Sequence, residues 1–481
     1  MIAAFHVPSG ISFAEYEERE IQTEQGTVTL QFPVLTPANI HEIAERVRQG
    51  RAQGLARWST EQIVTLIDEA VHLWLNPSYE KRRLAESLLP VLTGYDAEMI
   101  RLELKRFLRN FRRKELHRFL AEELDDPAVL DGFRPRKSGG QSRAFGPELL
   151  VQIFSGNVPG LPIWSLVMGL LTKSGTIGKT SSAEPLMAAF FAQSLVEVCP
   201  EIGEAIAILP WRGGTVDLEK AAYEQADVII VYGSDETVEQ VRTQAGAGKV
   251  VVGYGHKISF AMIGREALTA DRYQETIHRL AEDVAIYDQQ SCLAPQTLFV
   301  EQGGVVGPRQ VAQLLGAELE RYQKKRPRAT VSEEEALAIR RLRSEVELAE
   351  MGGEEVALFA SETGTDWTVT YREKPTFAGS TLNRTVQVSA CHSVEETLPL
   401  LRPYQRYLQS VGLAVGPQRL FELANLLGEA GVNRVTAIGQ MTRAAAGWHH
   451  DGRYNLLDLL RWTDIEARVE LDSERYDPDV E

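Results

Sequence analysis

The sequence predicts an α/β protein with a helical N-terminal section, and three observations carry that expectation. At 481 residues the chain is long enough for two or three domains. Between residues 39 and 130 apolar positions recur at helical spacing, with many charges between them. From Leu149 onward short β-rich runs alternate with helical segments, the pattern that builds parallel strands joined by helical crossovers.

The elements follow in order. TVTLQFPVL reads as a strand, residues 39–130 as helices, and DDPAVLDGFRPRKSGGQSRAFGP, rich in Gly, Pro and charge, as a connection between modules. LLVQIFSG, TIGKTS, EAIAILPW, DVIIVYG and KVVVGYG are then strands, separated by helices such as 185–198 and 218–225. KISFAMIG, a helix through Ile286, a loop with Cys292, TLFVEQG and a helix from Pro308 form a second α/β module. The basic KKRPRATVS reads as an exposed loop ahead of a charged helix and further strands. The boundaries expected are 1–145 for the N-terminal strand and helices, 146–255 for a Rossmann-like layer, 256–440 for the second module and 441–481 for a C-terminal segment.

Composition excludes several classes. Hydrophobic residues at 44% and charged ones at 25% match an ordinary globular protein rather than a disordered or fibrous one. With 67 acidic against 51 basic residues and a formal charge of -16, general attraction to nucleic acid or an anionic membrane has no support. The basic residues between Arg101 and Arg118 read as the solvated face of a helix. Cys199, Cys292 and Cys391 lack CxxC spacing, so neither a disulfide framework nor a thiolate zinc site is expected, and a reducing compartment is. MIAAFHVPSG carries no basic region ahead of an apolar run, and no stretch of about 18 apolar residues occurs, so a cytoplasmic protein without a transmembrane segment is expected.

No G-x-G-x-x-G follows the first strand, so a dinucleotide must be held differently or not at all. In VIIVYGSDETV a strand runs into Gly233 and Ser234 at a helix start, where Gly permits close approach, Ser caps, and free N–H groups suit a phosphate. Asp235 and Glu236 oppose an anion there unless they point away. Lys179, after a short strand, could reach a ribose or phosphate or simply lie on the surface. Cys292, in the turn-prone YDQQSCLAPQ, reads from the residues alone as a small buried hydrophobe or as a nucleophile.

Taken together, SGNVPG, TIGKTSSAEP, VYGSDETV, VVGYGHK and DQQSCLAPQ resemble the aldehyde dehydrogenase superfamily in order and approximate spacing, with Cys292 some three dozen residues beyond Lys257. The resemblance implies an aldehyde dehydrogenase-like α/β fold, a Rossmann-like cofactor domain beside an α/β catalytic domain. By position it implies that Asn157 helps form an oxyanion hole, Lys179 meets the adenosine ribose, Gly233 and Ser234 meet the pyrophosphate, and Cys292 is the nucleophile. Within the superfamily, QQSCLAPQ, SGNVPGLP and the late GWHHDGRYNLLDLLRW look like the LuxC-type fatty acyl reductases of bacterial luminescence systems, over about residues 149–462 and less firmly before. That likeness implies NADPH-dependent reduction of a long-chain acyl thioester, acyl-CoA or acyl-protein, to an aldehyde. It also implies an acyl-protein synthetase as a donor of the acyl group, and a homo-oligomer is expected.

Two departures shape the mechanism expected. Where the superfamily has the Glu that activates water, VVGYGHK places Gly253, which favours exchange of the acyl group with thiols over hydrolysis. Near STLNRTVQV no carboxylate stands where a Glu-x-Phe-Gly-Pro segment would hold the nicotinamide ribose. Ser182 occupies the offset from Lys179 at which NAD-specific members carry a Glu, so NADPH is expected over NADH. His256 is a proton donor or base for the leaving thiol, or a structural histidine after a tight Gly turn. His449, His450 and Asp451 are too close in sequence for a metal site and read as structural or subunit-contact residues. Cys391 and His392 would face opposite ways on a strand, leaving Cys391 a buried cysteine. A CoA-independent aldehyde dehydrogenase, a nucleotide-independent cysteine acyltransferase or thioesterase, and a binding protein on a decayed fold are the alternatives.

Overall fold

The computed structural model describes residues 1–477 and Asp479. A five-stranded, wholly parallel sheet lies across the chain in the order Val250–Tyr254, Val228–Tyr232, Leu149–Ile153, Gly175–Thr180, Ile206–Pro210. The β-branched runs LLVQI and VIIVY suit strands covered on both faces, and all ten of those residues are buried. Leu150, Ile208 and Ile230 point into one core, while Leu149, Val151, Ile177, Ile229 and Val231 point into the other, as strand alternation requires. Strand order reverses between Leu149–Ile153 and Val228–Tyr232, which opens a crevice at their carboxyl ends.

The N-terminal helices cover this sheet. Pro37–Gln53 starts at the Thr36 capping box and buries Ile40, Ile43, Ala44 and Val47. Thr60–Leu75 starts at the Ser59 box, and Trp74 at its end donates to Ser194 Oγ at 2.8 Å, tying it to Met187–Val198. Gly50 is required for close approach, since a Cβ there would lie 2.2 Å from the Glu204 carbonyl.

The second sheet runs Val356–Ala360, Thr368–Arg372, Thr385–Cys391, Pro295–Glu301, Ile258–Ile263, Leu408–Ala414, Arg434–Ala437, parallel except for the first, edge strand. Here too a core lies on each face, one with Ile263, Leu298 and Val300 and one with Phe260, Met262 and Phe299. Only Gly255–Lys257 separate the last strand of one sheet from Ile258–Ile263 of the other. Among the described residues no helix is long and apolar enough to cross a membrane.

Two local expectations are corrected and a third is refined. TVTLQFPVL is half of a hairpin, Tyr16–Thr23 pairing antiparallel with Gly26–Pro33; the acidic YEEREIQT hides its strand because its side chains are mostly exposed. The connection before Leu149 contains a strand, Gln141–Phe145, which pairs with Arg461–Ile465 from the far end of the chain. KKRPRATVS is a loop from Arg326 on, with Lys324, Lys325, Pro327, Thr330 and Ser332 exposed as expected, but it is also anchored: the Arg328 side chain is 5% exposed, the Arg326 carbonyl accepts from Arg384, and the Ala329 N–H donates to Asp288. A buried ion pair draws this basic segment inward.

Candidate active site

Cys292 opens onto a cavity of about 890 Å³ that also receives Asn157, Gly233, Ser234 and His256. Its position follows from the crevice at the strand reversal. Leu149–Ile153 delivers the loop Ser155–Asn157, Val228–Tyr232 delivers Gly233 and Ser234, and the nucleophile loop arrives from the second sheet.

That loop is held by unusual backbone. Tyr287, Asp288 and Gln289 have φ of 51°, 49° and 68°, and facing them Leu382, Asn383 and Arg384 have 58°, 56° and 61°. Left-handed backbone costs a non-glycine residue about 1–2 kcal/mol, so both turns require fixed partners. The partners are present. Arg384 donates through Nε to Asp288 Oδ1 at 2.9 Å, through Nη1 to Gln323 Oε1 at 2.7 Å and through Nη2 to the Arg326 carbonyl at 3.0 Å. Gln289 donates to the Pro295 carbonyl and accepts from Thr385 N–H, and Gln290 donates to Asn383 Oδ1 at 3.0 Å. The Cys292 carbonyl accepts from Ser259 Oγ at 2.7 Å.

Asn157 donates one Nδ2 hydrogen to the Gln290 carbonyl at 2.7 Å and accepts at its own carbonyl from Tyr95 OH. The second amide hydrogen is left for a cavity oxygen. Apolar walls come from Phe107, Val158, Leu161, Trp164, Leu293 and Trp448.

Cys292 is partly exposed to the cavity but deep within the molecule, and burial pushes its thiol up to about 12, with the Asp451 carboxylate adding to the rise. A hydrogen bond from Gln409 and the Lys257 ammonium act in the opposite direction. Asp451 accepts from Gln409 Nε2 at 2.8 Å and lies 3.5 Å from Lys257 Nζ. His450 stacks on Tyr254 at 4.3 Å between ring centres, and Tyr254 on Tyr232 at 4.7 Å. Burial holds the imidazole down to about 4, so it is neutral near pH 7.

His450 and Asp451, read from the sequence as structural or subunit-contact residues, thus also form cavity wall. The sequence signal was a Trp-His-His-Asp-Gly cluster in a loop, where function concentrates more than in regular elements. Gln409 and Lys257 gave no comparable signal. Gly253 also needs correction: a Cβ there would lie 2.4 Å from Val238 Cγ1, so a side chain at 253 would run into the neighbouring helix. The residue of that strand that faces the cavity is Tyr254. His256 stands exposed at the rim, its ring 6.1 Å from Tyr407, with its N–H given to Asp235 Oδ1.

Lys179 and Ser182 do not line the cavity of Cys292. Lys179 is 9% exposed, its ammonium 4.0 Å from where a Gly213 Cβ would stand, and burial pulls its pKa down against the opposing Glu219. Ser182 lines a second cavity of about 490 Å³ with Ser181, Thr215 and the exposed Arg212, a residue the sequence did not single out. Ser234 caps Asp235–Ala245 by accepting from Thr237 N–H, and Gly233 N–H is given to the Tyr254 carbonyl. Asp235 is turned toward His256 N–H. Cys391 is buried on its strand. Among the described residues no His, Cys, Asp and Glu cluster could hold a metal ion.

Comparison with known proteins agrees with this architecture. The NADP-dependent glyceraldehyde-3-phosphate dehydrogenase of Bacillus halodurans C-125, solved with NADP, superposes with a TM-score of 0.75 at 14% identity, over 97% of this chain and 100% of that one. The fold is therefore that of the aldehyde dehydrogenases. A long-chain acyl-protein thioester reductase 2 of Photobacterium leiognathi is 22% identical over 96% of this chain and 94% of its own length. The match to the long-chain acyl-protein thioester reductase of Photorhabdus luminescens, 25% identical, spans 60% of this chain and 58% of that protein. Residues 55–462 match the family model described as Acyl-CoA reductase (LuxC), and the chain belongs to that family.

Proposed function

We propose that the protein reduces a long-chain fatty acyl thioester, carried on CoA or on a protein, to the aldehyde through an acyl group on Cys292, with NADPH as reductant. The observation that carries this is one apolar-walled cavity in which Cys292, Asn157 and the Gly233–Ser234 turn converge.

Cys292 sulfur attacks the thioester carbonyl, and the free Asn157 amide hydrogen with the Cys292 N–H stabilises the oxyanion as charge develops. Collapse expels the donor thiol and leaves the acyl group on sulfur. A bound nicotinamide dinucleotide supplies the hydride that reduces this acyl group. The chain's residues fit such a molecule at the crevice of the first sheet: Gly233 and Ser234 open the helix toward a pyrophosphate, and Lys179, Ser182 and Arg212 offer a cationic, hydroxyl-bearing surface for a ribose 2′-phosphate. The strand residue Gly253 carries no carboxylate, and release to a thiol, a stronger nucleophile than water, is favoured. On this reading the donor is an acyl-CoA or an acyl-protein made by a synthetase, and the protein works as a homo-oligomer.

The test is NADPH absorbance with a panel of acyl-CoA lengths. Cofactor loss with aldehyde formed in equal amount is expected. Thiol release without NADPH consumption would make the protein an acyltransferase or thioesterase.

A further inference from the structure

Four segments distant in sequence meet behind the nucleophile. Asp451 sits at φ 53°, followed by Gly452 at 73°, so the loop turns sharply to aim its carboxylate inward, where the side chain is 7% exposed. Gln409, wholly buried, donates Nε2 to Asp451 Oδ1 at 2.8 Å, and both residues line the cavity onto which Cys292 opens. Lys257, fixed by the Arg406 carbonyl at 3.1 Å, places its ammonium 3.5 Å from Asp451 Oδ2. One amide therefore fixes the carboxylate in the wall of the cavity that holds the sulfur, and one cation stands beside that carboxylate.

We propose that Asp451 is the proton acceptor that ionises Cys292 for attack and returns the proton to the departing thiol, with Gln409 as the residue that positions the two groups. The inference rests on acylation of Cys292, the reading given above. Charge conservation favours it. Ionising the thiol into solvent would leave two anions, sulfur and carboxylate, beside the single Lys257 cation. Moving the proton from sulfur to Asp451 leaves one anion and one cation before and after, the arrangement a buried site tolerates. The step balances: the S–H bond breaks as a carboxyl O–H forms, directly or through one water. The sulfur pair bonds the acyl carbon, the donor C–S bond breaks with its electrons on the donor sulfur, and that thiolate takes the proton back from Asp451.

The other groups facing this cluster are worse acceptors. His450, whose Nε2 is 3.8 Å from Asp451 Oδ1 and whose ring is buried between aromatic rings, would on taking the proton leave two anions and two cations in place of one of each. Tyr232 and Tyr254 are buried phenols whose pKa values are raised, Arg453 is committed to the Gly253 carbonyl and the Tyr254 ring, and Arg434 lies over Trp448. His256 is at the exposed rim.

The experiment is rapid-quench mass spectrometry of the full chain with an acyl-CoA and no nicotinamide, paired with iodoacetamide labelling of the Cys292 peptide, since Cys199 and Cys391 are also free thiols. In Asp451→Asn, acylation should slow about 100-fold or more, the scale of lost general-base assistance. Alkylation near pH 7 should instead become faster, because a negative charge beside the sulfur is gone. Acylation of the variant should climb with pH until its thiol, raised by burial, ionises unaided. Lys257→Met should slow both reactions, which keeps the proposal testable if Asp451→Asn fails to fold; no change in either would overturn it. Acylation of Asp451→Asn within about threefold of wild type, or acylation and alkylation slowing together as for a structural prop, would also overturn it. A wild-type chain that takes up no acyl group would instead remove the reading of Cys292 on which the proposal stands.

Discussion

Replacing Arg384 by Met should cost the protein about 3–5 kcal/mol, because it removes one partner of a buried ion pair and leaves the other charged. Arg384 and Asp288 are 0% and 1% exposed at the side chain, with Nη2 2.7 Å from Oδ1. The guanidinium also serves Gln323 and the Arg326 carbonyl. Three charge-assisted bonds at ~1.5–3 kcal/mol each would suggest about 4.5–9 kcal/mol. That overshoots, since burying the guanidinium itself costs several kcal/mol, and the lower range is the expected one. After substitution the Asp288 carboxylate keeps the Ala329 N–H at 2.9 Å, and the two left-handed turns lose their ion pair, leaving the Gln290–Asn383 and Thr385–Gln289 hydrogen bonds between them. Urea unfolding followed by tryptophan fluorescence measures the loss, and acylation of Cys292 should fall with it because the nucleophile loop hangs from the same turn. Adding Asp288→Asn should recover part of the stability by removing the orphaned charge. A loss under about 1 kcal/mol, or a double variant as unstable as the two single losses added, would refute the reasoning.

Cys292→Ala should abolish aldehyde formation while NADPH binding, followed by fluorescence titration, stays within about twofold, since the residue supplies the bond-forming atom and little cofactor contact. Arg212→Gln should weaken NADPH about tenfold and leave NADH nearly unchanged, the signature of a contact to the 2′-phosphate; equal weakening of both would remove that role. Glu184 is fully buried, with Oε1 accepting from Leu186 and Met187 N–H and Oε2 without a partner, and burial raises it to about 7. Its folded pKa lies above the unfolded value near 4.5, so its contribution is complete below that pH and is lost as pH rises through about 7. Glu184→Gln should flatten the stability profile across that window. Asp283, also raised to about 7, keeps its slope in both proteins, so the difference between the two unfolding curves isolates Glu184.

The sequence reading reached the strand–helix alternation because its signals are local: VIIVY and LLVQI announce buried strands, and Gly233 with Ser234 announces a capped helix at a strand end. It also singled out Asn157, Gly233, Ser234, His256 and Cys292, which the fold brings into one cavity. What it missed is non-local. Gln409 and Lys257 become neighbours of Cys292 only when the second sheet forms, and nothing at either position hints at a carboxylate from residue 451. Gly253 misled because sequence offset does not say which way a strand residue faces; the Val238 side chain decides it. The left-handed turns at residues 287–289 and 382–384 contain no glycine, so the usual marker of that backbone was absent. Arg212 looked like any surface arginine until Ser182 appeared beside it.

The pairing of Arg461–Ile465 with Gln141–Phe145 has a consequence for synthesis. The loop carrying His450 and Asp451 lies just ahead of that last strand, and Asn455 and Leu456 fasten it by donating to the carboxylate of Glu123, far up the chain. As the polypeptide leaves the ribosome, Cys292 emerges well before the residues that complete its surroundings. The nascent thiol therefore spends that interval without its carboxylate neighbour, beside a first sheet already able to fold. The wall is complete only after Asp451 and the strand Arg461–Ile465 have emerged, so synthesis brings Cys292 and its carboxylate neighbour together late.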